Sequence, residues 1–344
     1  MSDPQPFAFE IGRDLIERVS AHLPEHIAFV APEPWELVKP RWASQPQRIV
    51  VASDLEHGYL DDLARSVRGV DAVVGVGGGS ALDTAKFVSW KTGLPLWQFP
   101  SVASVDAVFT RPTGVREESR VRYVGESVPQ LVAADLDLLL AAPLDLNRAG
   151  VGDILSCHTG LFDWRLAQGH PASPPLDPEL VDLSLRLVEG LRSHATSIRA
   201  VDEAGLRFIL QAYREEGAIG DAVGHSFFEE GSEHYFAYCF ERMTGRHVVH
   251  GELIALGVRA MVIAQDNQVE ETARLIESLG VRSLPSELGI SFEVLGDVLT
   301  ALPAYCADEG FPLSVAHTID TSTRETIMAR VRQWDRDAEQ SSDE

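Results

Sequence analysis

One carboxylate and two imidazoles in the second half of the chain are of the types and spacing that could hold a divalent ion. Asp153 lies in Ala149-Gly150-Val151-Gly152-Asp153, near the start of a predicted helix. His234 lies in Gly231-Ser232-Glu233-His234-Tyr235-Phe236, and His250 in His247-Val248-Val249-His250-Gly251-Glu252. The sixteen positions from His234 to His250 leave room for the rest of one helix and a short return, so an antiparallel helix pair can bring both rings together. Three protein ligands leave a coordination position open, which is the pattern of a catalytic metal site. Glu233 and Glu252, each near a ligand histidine, could steady the rings through their second nitrogen. The alternative is that these are ordinary members of a set of 11 histidines. His22, His26, His57, His170, His194 and His317 are assigned to that surface or hydrogen-bonded class.

A second chemical feature is the run Val73-Val74-Gly75-Val76-Gly77-Gly78-Gly79-Ser80-Ala81-Leu82-Asp83-Thr84-Ala85-Lys86. It passes from a strand pattern through three consecutive glycines into a helix pattern. Residues without side chains let backbone N–H groups approach a pyrophosphate, and the helix N-terminus adds partial positive charge. Ser80 and Asp83 have capping-box spacing, which is expected to fix the helix start. The turn follows the third strand where the dinucleotide fingerprint usually follows the first, and it lacks the Gly-Lys-Ser/Thr of a P-loop. A plain glycine-rich connection is therefore the alternative. Asp54, at the end of the strand run Arg48 to Ser53, could accept hydrogen bonds from an adenosine ribose and disfavour a 2′-phosphate, which favours NAD over NADP.

The elements that must position these groups differ between the two halves. Ile27 to Ala31, Arg48 to Ala52, Ala72 to Val76 and Leu94 to Phe99 are short apolar runs bounded by turn formers, and read as buried parallel strands. Helical patterns at Pro34 to Trp42, Tyr59 to Val67 and Ser80 to Lys91 separate them, and strand runs at Val121 to Val124 and Gln130 to Ala134 close this half. The alternation implies a doubly wound, Rossmann-like α/β domain, residues 1–143, with ligands where strand C-termini meet helix N-termini. Residues 144–344 are expected to form an all-helical metal-binding domain. Its helices are predicted over Asn147 to Ala167, Asp177 to His194, Glu203 to Glu216, Glu230 to Thr244, Gly251 to Asp266, Glu270 to Leu279 and Ser322 to Arg336, and the acidic tail 337–344 is expected to fray.

The 344 residues carry 52 acids against 29 bases, a formal net charge of -23, and only three of the bases are lysines (Lys39, Lys86, Lys91). That surface disfavours nucleic acid and anionic membrane as partners. Three scattered cysteines (Cys157, Cys239, Cys306) suit a reduced compartment. Neither a leader pattern nor a long uninterrupted apolar stretch is seen, so a cytoplasmic protein is expected, as is a homo-oligomer.

From Phe7 to Met261 the chain resembles the superfamily of iron-containing alcohol dehydrogenases, polyol dehydrogenases and dehydroquinate synthases. Four segments carry the resemblance: Gly77-Gly78-Gly79-Ser80 with Asp83 and Lys86; Pro100-Ser101-Val102-Ala103-Ser104-Val105-Asp106-Ala107; Ala149-Gly150-Val151-Gly152-Asp153-Ile154-Leu155-Ser156 with Asp163-Trp164-Arg165-Leu166-Ala167; and Gly231-Ser232-Glu233-His234 with His250-Gly251-Glu252. The third and fourth most resemble sn-glycerol-1-phosphate dehydrogenases, and the second also resembles glycerol dehydrogenases. The resemblance implies Gly77, Gly78, Gly79, Ser80 and Asp83 in the cofactor site, with Ser101, Ser104 and Thr110 near the nicotinamide half. It also implies Asp106 on a substrate hydroxyl and zinc on Asp153, His234 and His250. One carboxylate and two imidazoles suit iron as well. Dehydroquinate synthase is less similar, with Glu where this chain has Asp153 and lysine where it has Ser156.

Two departures from glycerol-1-phosphate dehydrogenases bear on the substrate. Their second histidine, four residues after the first, is replaced by Tyr238. An arginine before the Gly-Ser-Glu-His run is replaced by His225-Ser226-Phe227-Phe228-Glu229-Glu230. The aromatic and acidic residues of that run weigh against a phosphate-bearing substrate. The expected activity is metal-dependent hydride transfer between NAD(P) and a small polyol, polyol phosphate or hydroxyaldehyde, with Tyr238 or His247 as candidate proton carriers or packing residues. The alternatives are a sugar-phosphate cyclase of the dehydroquinate synthase type and a non-catalytic NAD-binding sensor.

Overall fold

The computed structural model describes residues 7–104, 106–117 and 120–342, so Val105 and the last two tail residues lie outside it. The chain begins β1 (Ala8–Gly12), α1 (Leu15–Ser20), β2 (His26–Val30), α2 (Pro32–Val38), β3 (Arg48–Val51), α3 (His57–Ser66), β4 (Ala72–Gly77), α4 (Gly79–Thr92) and β5 (Leu96–Pro100). An antiparallel hairpin of β6 (Thr113–Glu117) and β7 (Arg120–Val124) precedes β8 (Leu131–Asp135) and α5 (Leu136–Ala141). The rest is helical: α6 (Leu144–Ala149), α7 (Val151–Leu166), α8 (Pro178–Ala200), α9 (Glu203–Val223), α10 (Ser232–Thr244), α11 (His250–Gln265), α12 (Val269–Leu279), α13 (Phe292–Glu309) and α14 (Thr321–Ser342).

Two compact units result, one of residues 1–147 with 201–224 and the other of 148–200 with 225–344. The first holds a six-stranded sheet in the order β1-β8-β5-β4-β2-β3, parallel throughout. Every residue of β2 and β4 is buried, as expected where helices cover both faces of a parallel sheet. Ala28 and Val30 of β2 pack with Trp35 and Val38 of α2 on one face, while Ile27 and Phe29 pack with Ala85, Phe87 and Val88 of α4 on the other. The helices after the adjacent strands β2 and β4 therefore leave on opposite faces. This is the topological switch point where open α/β sheets bind ligands.

Four of the predicted strand runs form β2, β3, β4 and β5, and Gln130 to Ala134 forms β8; Val121 to Val124 joins the hairpin outside the main sheet. The expected single boundary after residue 143 differs from the observed division in two respects: the first unit runs on to residue 147, and α9 belongs to it. Arg207 of α9 donates to the Ile11 carbonyl at 3.2 Å, Arg111 pairs with Asp221 at 3.0 Å, and a Cβ on Gly217 would lie 2.4 Å from the Phe109 carbonyl oxygen. The last helix, α14, reaches Ser342, within the tail expected to fray.

In the second unit α11 is central. Residues 251–262 are all buried, so the helix is apolar around its circumference apart from Glu252 and Arg259, as a helix surrounded by others must be. Arg259 is accommodated by a hydrogen bond to Ser283 Oγ at 2.9 Å and by the Trp334 ring at 5.2 Å. The predicted helix Asn147 to Ala167 is broken at Gly150 into α6 and α7, and this break sets the start of the helix that carries Asp153.

Candidate metal centre and nucleotide turn

Asp153 projects from the first turn of α7, His234 from the first turn of α10, and His250 opens α11. One ligand atom from each lies within 4.8 Å of the others. His250 Nε2 is 3.3 Å and His234 Nε2 3.9 Å from Asp153 Oδ1, a buried oxygen with no hydrogen-bond partner. An orphaned buried carboxylate oxygen facing two imidazole nitrogens fits a divalent cation, which would satisfy all three at once.

Glycines make this convergence possible. A Cβ on Gly251 would lie 1.8 Å from the Ala149 carbonyl oxygen, and one on Gly152 would lie 2.3 Å from the Gly251 carbonyl oxygen. The starts of α7 and α11 therefore meet backbone to backbone, at a distance that only glycine permits. Gly257 lets α11 approach α10 in the same way, with its absent Cβ 2.8 Å from the Glu233 carbonyl oxygen.

Glu233 is fully buried, and its Oε1 lies 2.8 Å from His234 Nδ1 while also accepting from the Gly231 N–H at 2.6 Å. A carboxylate on Nδ1 fixes the ring so that Nε2 faces Asp153. Burial of His234 opposes its charge, but the hydrogen bond and charge of Glu233, with the charges of Glu230 and Asp153, raise its pKa to about 9. Metal binding must displace that proton. Glu252 has a different role from the one its sequence position suggests: its carboxylate is held by Arg282 through two bonds of 2.7 and 2.9 Å. Asp163 ties the helices together, accepting from Ser232 N–H at 2.8 Å and from Val315 N–H at 2.9 Å. Its burial, and then the nearby Glu233 charge, push its pKa up to about 7. Tyr238 stands one turn beyond His234 with the two rings 6.1 Å apart, and its hydroxyl donates to Glu230 Oε1 at 2.9 Å.

The first unit presents the glycine turn. Gly77 has φ of 151°, and a Cβ there would meet the Ala31 Cβ at 2.8 Å and the Ala81 Cβ at 2.9 Å, so the turn lies against the end of β2 at the switch point. The capping-box expectation is corrected: Gly78 is the N-cap of α4 without a side-chain bond, and Ser80 is an exposed residue of the first turn. The freed backbone donors at this end suit an anion. Asp83 pairs instead with Lys86, 3.3 Å from its Nζ, and both are largely buried. Lys86 also donates to the carbonyls of Ala107 at 2.9 Å and Pro112 at 2.5 Å.

The loop after β5 carries Ser101, Ser104, Asp106 and Thr110, and is pinned at three places. Ser101 N–H donates to the Gly77 carbonyl at 2.9 Å, Ala103 N–H to Asn147 Oδ1 at 2.9 Å, and Lys86 holds its far end. Ser101 is buried, Ser104 borders on burial, and Asp106 and Thr110 are partly exposed. Asp54 is exposed beyond the edge strand β3, and its carboxylate accepts from the Glu56 N–H at 3.0 Å. The residue that meets the glycine turn is Ala31, which strand order decides and sequence spacing does not reveal. Glu33, in the first turn of α2, lies two residues beyond it.

A switch-point glycine turn on a parallel sheet, and a carboxylate with two imidazoles converging on one point, define a metal-dependent, NAD(P)-linked alcohol dehydrogenase. The sequence model of the iron-containing alcohol dehydrogenase family matches residues 41–143. Glycerol-1-phosphate dehydrogenase [NAD(P)+] of Thermococcus kodakarensis is 31% identical over 76% of this chain and 70% of its own. That of Methanosphaerula palustris is 30% identical over 71% and 68%. The chain belongs to the iron-containing alcohol dehydrogenase family, in which these glycerol-1-phosphate dehydrogenases are its relatives. The fold is shared with a probable glycerol dehydrogenase from Sinorhizobium meliloti, with a TM-score of 0.75, 20% identity and coverage of 97% of this chain and 99% of that one. The glycerol dehydrogenase of Schizosaccharomyces pombe has a TM-score of 0.74 at 18% identity, covering 98% and 93%. Among the described residues, no helix is long and apolar enough to cross a membrane.

Proposed function

We propose that the protein catalyses reversible hydride transfer between NAD(H) and a small polyol or hydroxyaldehyde, at a zinc site formed by Asp153, His234 and His250. The observation that carries this reading is the approach of those three ligand atoms to within 4.8 Å around an unsatisfied buried carboxylate oxygen. The bound ion supplies Lewis acidity toward the substrate oxygen, and the nicotinamide supplies the hydride acceptor or donor. The chain's own residues do the positioning. Glu233 holds His234 in the tautomer that leaves Nε2 free to coordinate. Gly77, Gly78, Gly79 and Ser80 offer backbone donors to the pyrophosphate, while Asp83 and Lys86 hold the loop that presents Ser101, Ser104 and Thr110 to the nicotinamide half. Asp106 is assigned to a substrate hydroxyl. The Tyr238–Glu230 hydrogen bond supports a relay for the hydroxyl proton. Asp54 is assigned to the ribose, which favours NAD over NADP. We further assign the protein to the cytoplasm as a homo-oligomer; three free, buried cysteines agree with a reducing compartment.

The test is incubation of the zinc-loaded protein with NAD and a panel of three- to six-carbon polyols, followed by nicotinamide absorbance. Steady NADH formation is expected. Net redox neutrality with release of inorganic phosphate from a sugar phosphate would instead identify a cyclase.

A further inference from the structure

Glu230 stands immediately before the α10 N-terminus that bears His234, and both of its carboxylate oxygens are held. Tyr238 Oη donates to Oε1 at 2.9 Å, and Ser226 Oγ donates to Oε2 at 2.7 Å. The Glu230 N–H in turn bonds the Ser226 carbonyl at 2.7 Å, so the backbone is fixed as well. Glu230 and Tyr238 are only partly buried, and remain within reach of a ligand. Each carboxylate oxygen keeps a lone pair beyond the bond it already accepts. The pair is held on both carboxylate oxygens, partly open and beside the proposed metal ligands, and the proton relay uses only its Tyr238 bond, so the Ser226 bond that fixes its orientation calls for a further role.

We propose that Glu230, oriented by Tyr238 and Ser226, determines substrate specificity by accepting a hydrogen bond from a second hydroxyl of an unphosphorylated polyol or hydroxyaldehyde and by repelling a phosphate ester. This rests on the dehydrogenase reading above and narrows its substrate class. The charge balance is the reason. Asp153, Glu233 and Glu230 bring three carboxylates to one end of α10, and a divalent ion offsets two of their charges. A phosphate dianion would enter a region that is still net negative, whereas a neutral polyol meets an acceptor already in place. The electrostatic discrimination expected from one fixed charge in a partly buried site is about 10- to 100-fold. Tyr238 and Ser226 are positioning residues, because they act through Glu230.

The test compares kcat/KM of the zinc- and NAD(H)-loaded protein for each three- to six-carbon polyol or hydroxyaldehyde and its terminal monophosphate. The wild-type protein is expected to favour the unphosphorylated member of each productive pair by at least about tenfold. Glu230→Gln should bring that ratio toward unity and Glu230→Arg should invert it, with zinc content and NADH fluorescence titration unchanged. Because the ratio compares two substrates of one protein, any common loss of turnover through the proton relay cancels. Tyr238→Phe should fall between wild type and Glu230→Gln. A wild-type preference for the phosphorylated members, or a ratio that Glu230→Gln leaves untouched, would overturn the inference while the dehydrogenase reading stands. No turnover of either member of any pair by protein that binds zinc and NADH would overturn that reading, and this inference with it.

Discussion

The meeting of α7 and α11 is the mechanical foundation of the proposed metal site, and Gly251→Ala tests it. The new Cβ would lie 1.8 Å from the Ala149 carbonyl oxygen and 2.8 Å from its carbon, both backbone atoms that no rotamer change can move aside. Ordinary contact needs well over 3 Å, so α11 must retreat by more than an ångström at its first turn, where His250 sits. Overpacking that side chains can relieve costs about 1–3 kcal/mol, and a clash confined to backbone belongs at or above the upper end. A loss of about 3 kcal/mol in a unit of this size lowers the melting temperature by about 6–12 °C. Displacing His250 by a similar distance should also weaken zinc binding by at least about tenfold. Differential scanning calorimetry of the metal-free protein and competition titration with a zinc chelator measure the two effects. Gly58→Ala is the control: nothing lies within 4 Å of its Cβ, and the change should be neutral or mildly stabilising. A Gly251→Ala protein with wild-type melting and wild-type zinc affinity would refute the packing account.

Three further outcomes are expected. Glu233→Gln should lower zinc affinity by about 10- to 100-fold and, near neutral pH, should also lower the melting temperature of the metal-free protein, because it removes the charge that holds His234 protonated; a chelator titration and calorimetry check the two effects, and unchanged affinity would remove Glu233 from the site. In metal-free protein the His234 pKa is raised from 6.5 to about 9, so its stabilisation, about 3 kcal/mol, is complete below pH 6.5 and is lost as the pH rises through 9. Urea midpoints should therefore fall between about pH 7.5 and 9.5, above the range in which Asp163 titrates, and a rise there would contradict the assignment. Lys86→Met should destabilise the first unit by about 3–5 kcal/mol, since it strands the buried Asp83 carboxylate; adding Asp83→Asn should restore part of the loss in urea unfolding, and a neutral Lys86→Met would show the pair to be dispensable.

The strands nearest the glycine turn were legible in the sequence because β2 and β4 are buried on both faces and β5 nearly so, and all three read as short, mostly apolar runs. β1 was not, since Ala8–Gly12 is a partly exposed edge strand whose partner β8 lies over a hundred residues away. α13 was passed over because Gly296 and Pro303 interrupt its pattern, although Ser291 caps it through the Val294 N–H. α9 reads like any amphipathic helix, and only tertiary contacts through Arg207, Gly217 and Asp221 assign it to the first unit. The convergent trio was visible because Asp153, His234 and His250 sit in unusual glycine-flanked surroundings. What those glycines do was not visible, because a backbone-to-backbone approach leaves no signature in one sequence. Ser80 and Asp83 had the spacing of a capping box, yet the N-cap is Gly78, two residues earlier, and Asp83 is engaged by Lys86. Glu230 was legible only as an acidic residue where a cation might stand, and its geometry with Tyr238 and Ser226 required the fold.

The central claim is that Asp153, His234 and His250 bind one divalent ion. Elemental analysis of wild type and His250→Ala, each purified in parallel and checked for folding by circular dichroism, tests it most directly. The account predicts about one zinc per wild-type chain, little or none in a folded His250→Ala chain, and no turnover by the latter. A folded His250→Ala protein that retains stoichiometric metal and activity would contradict it.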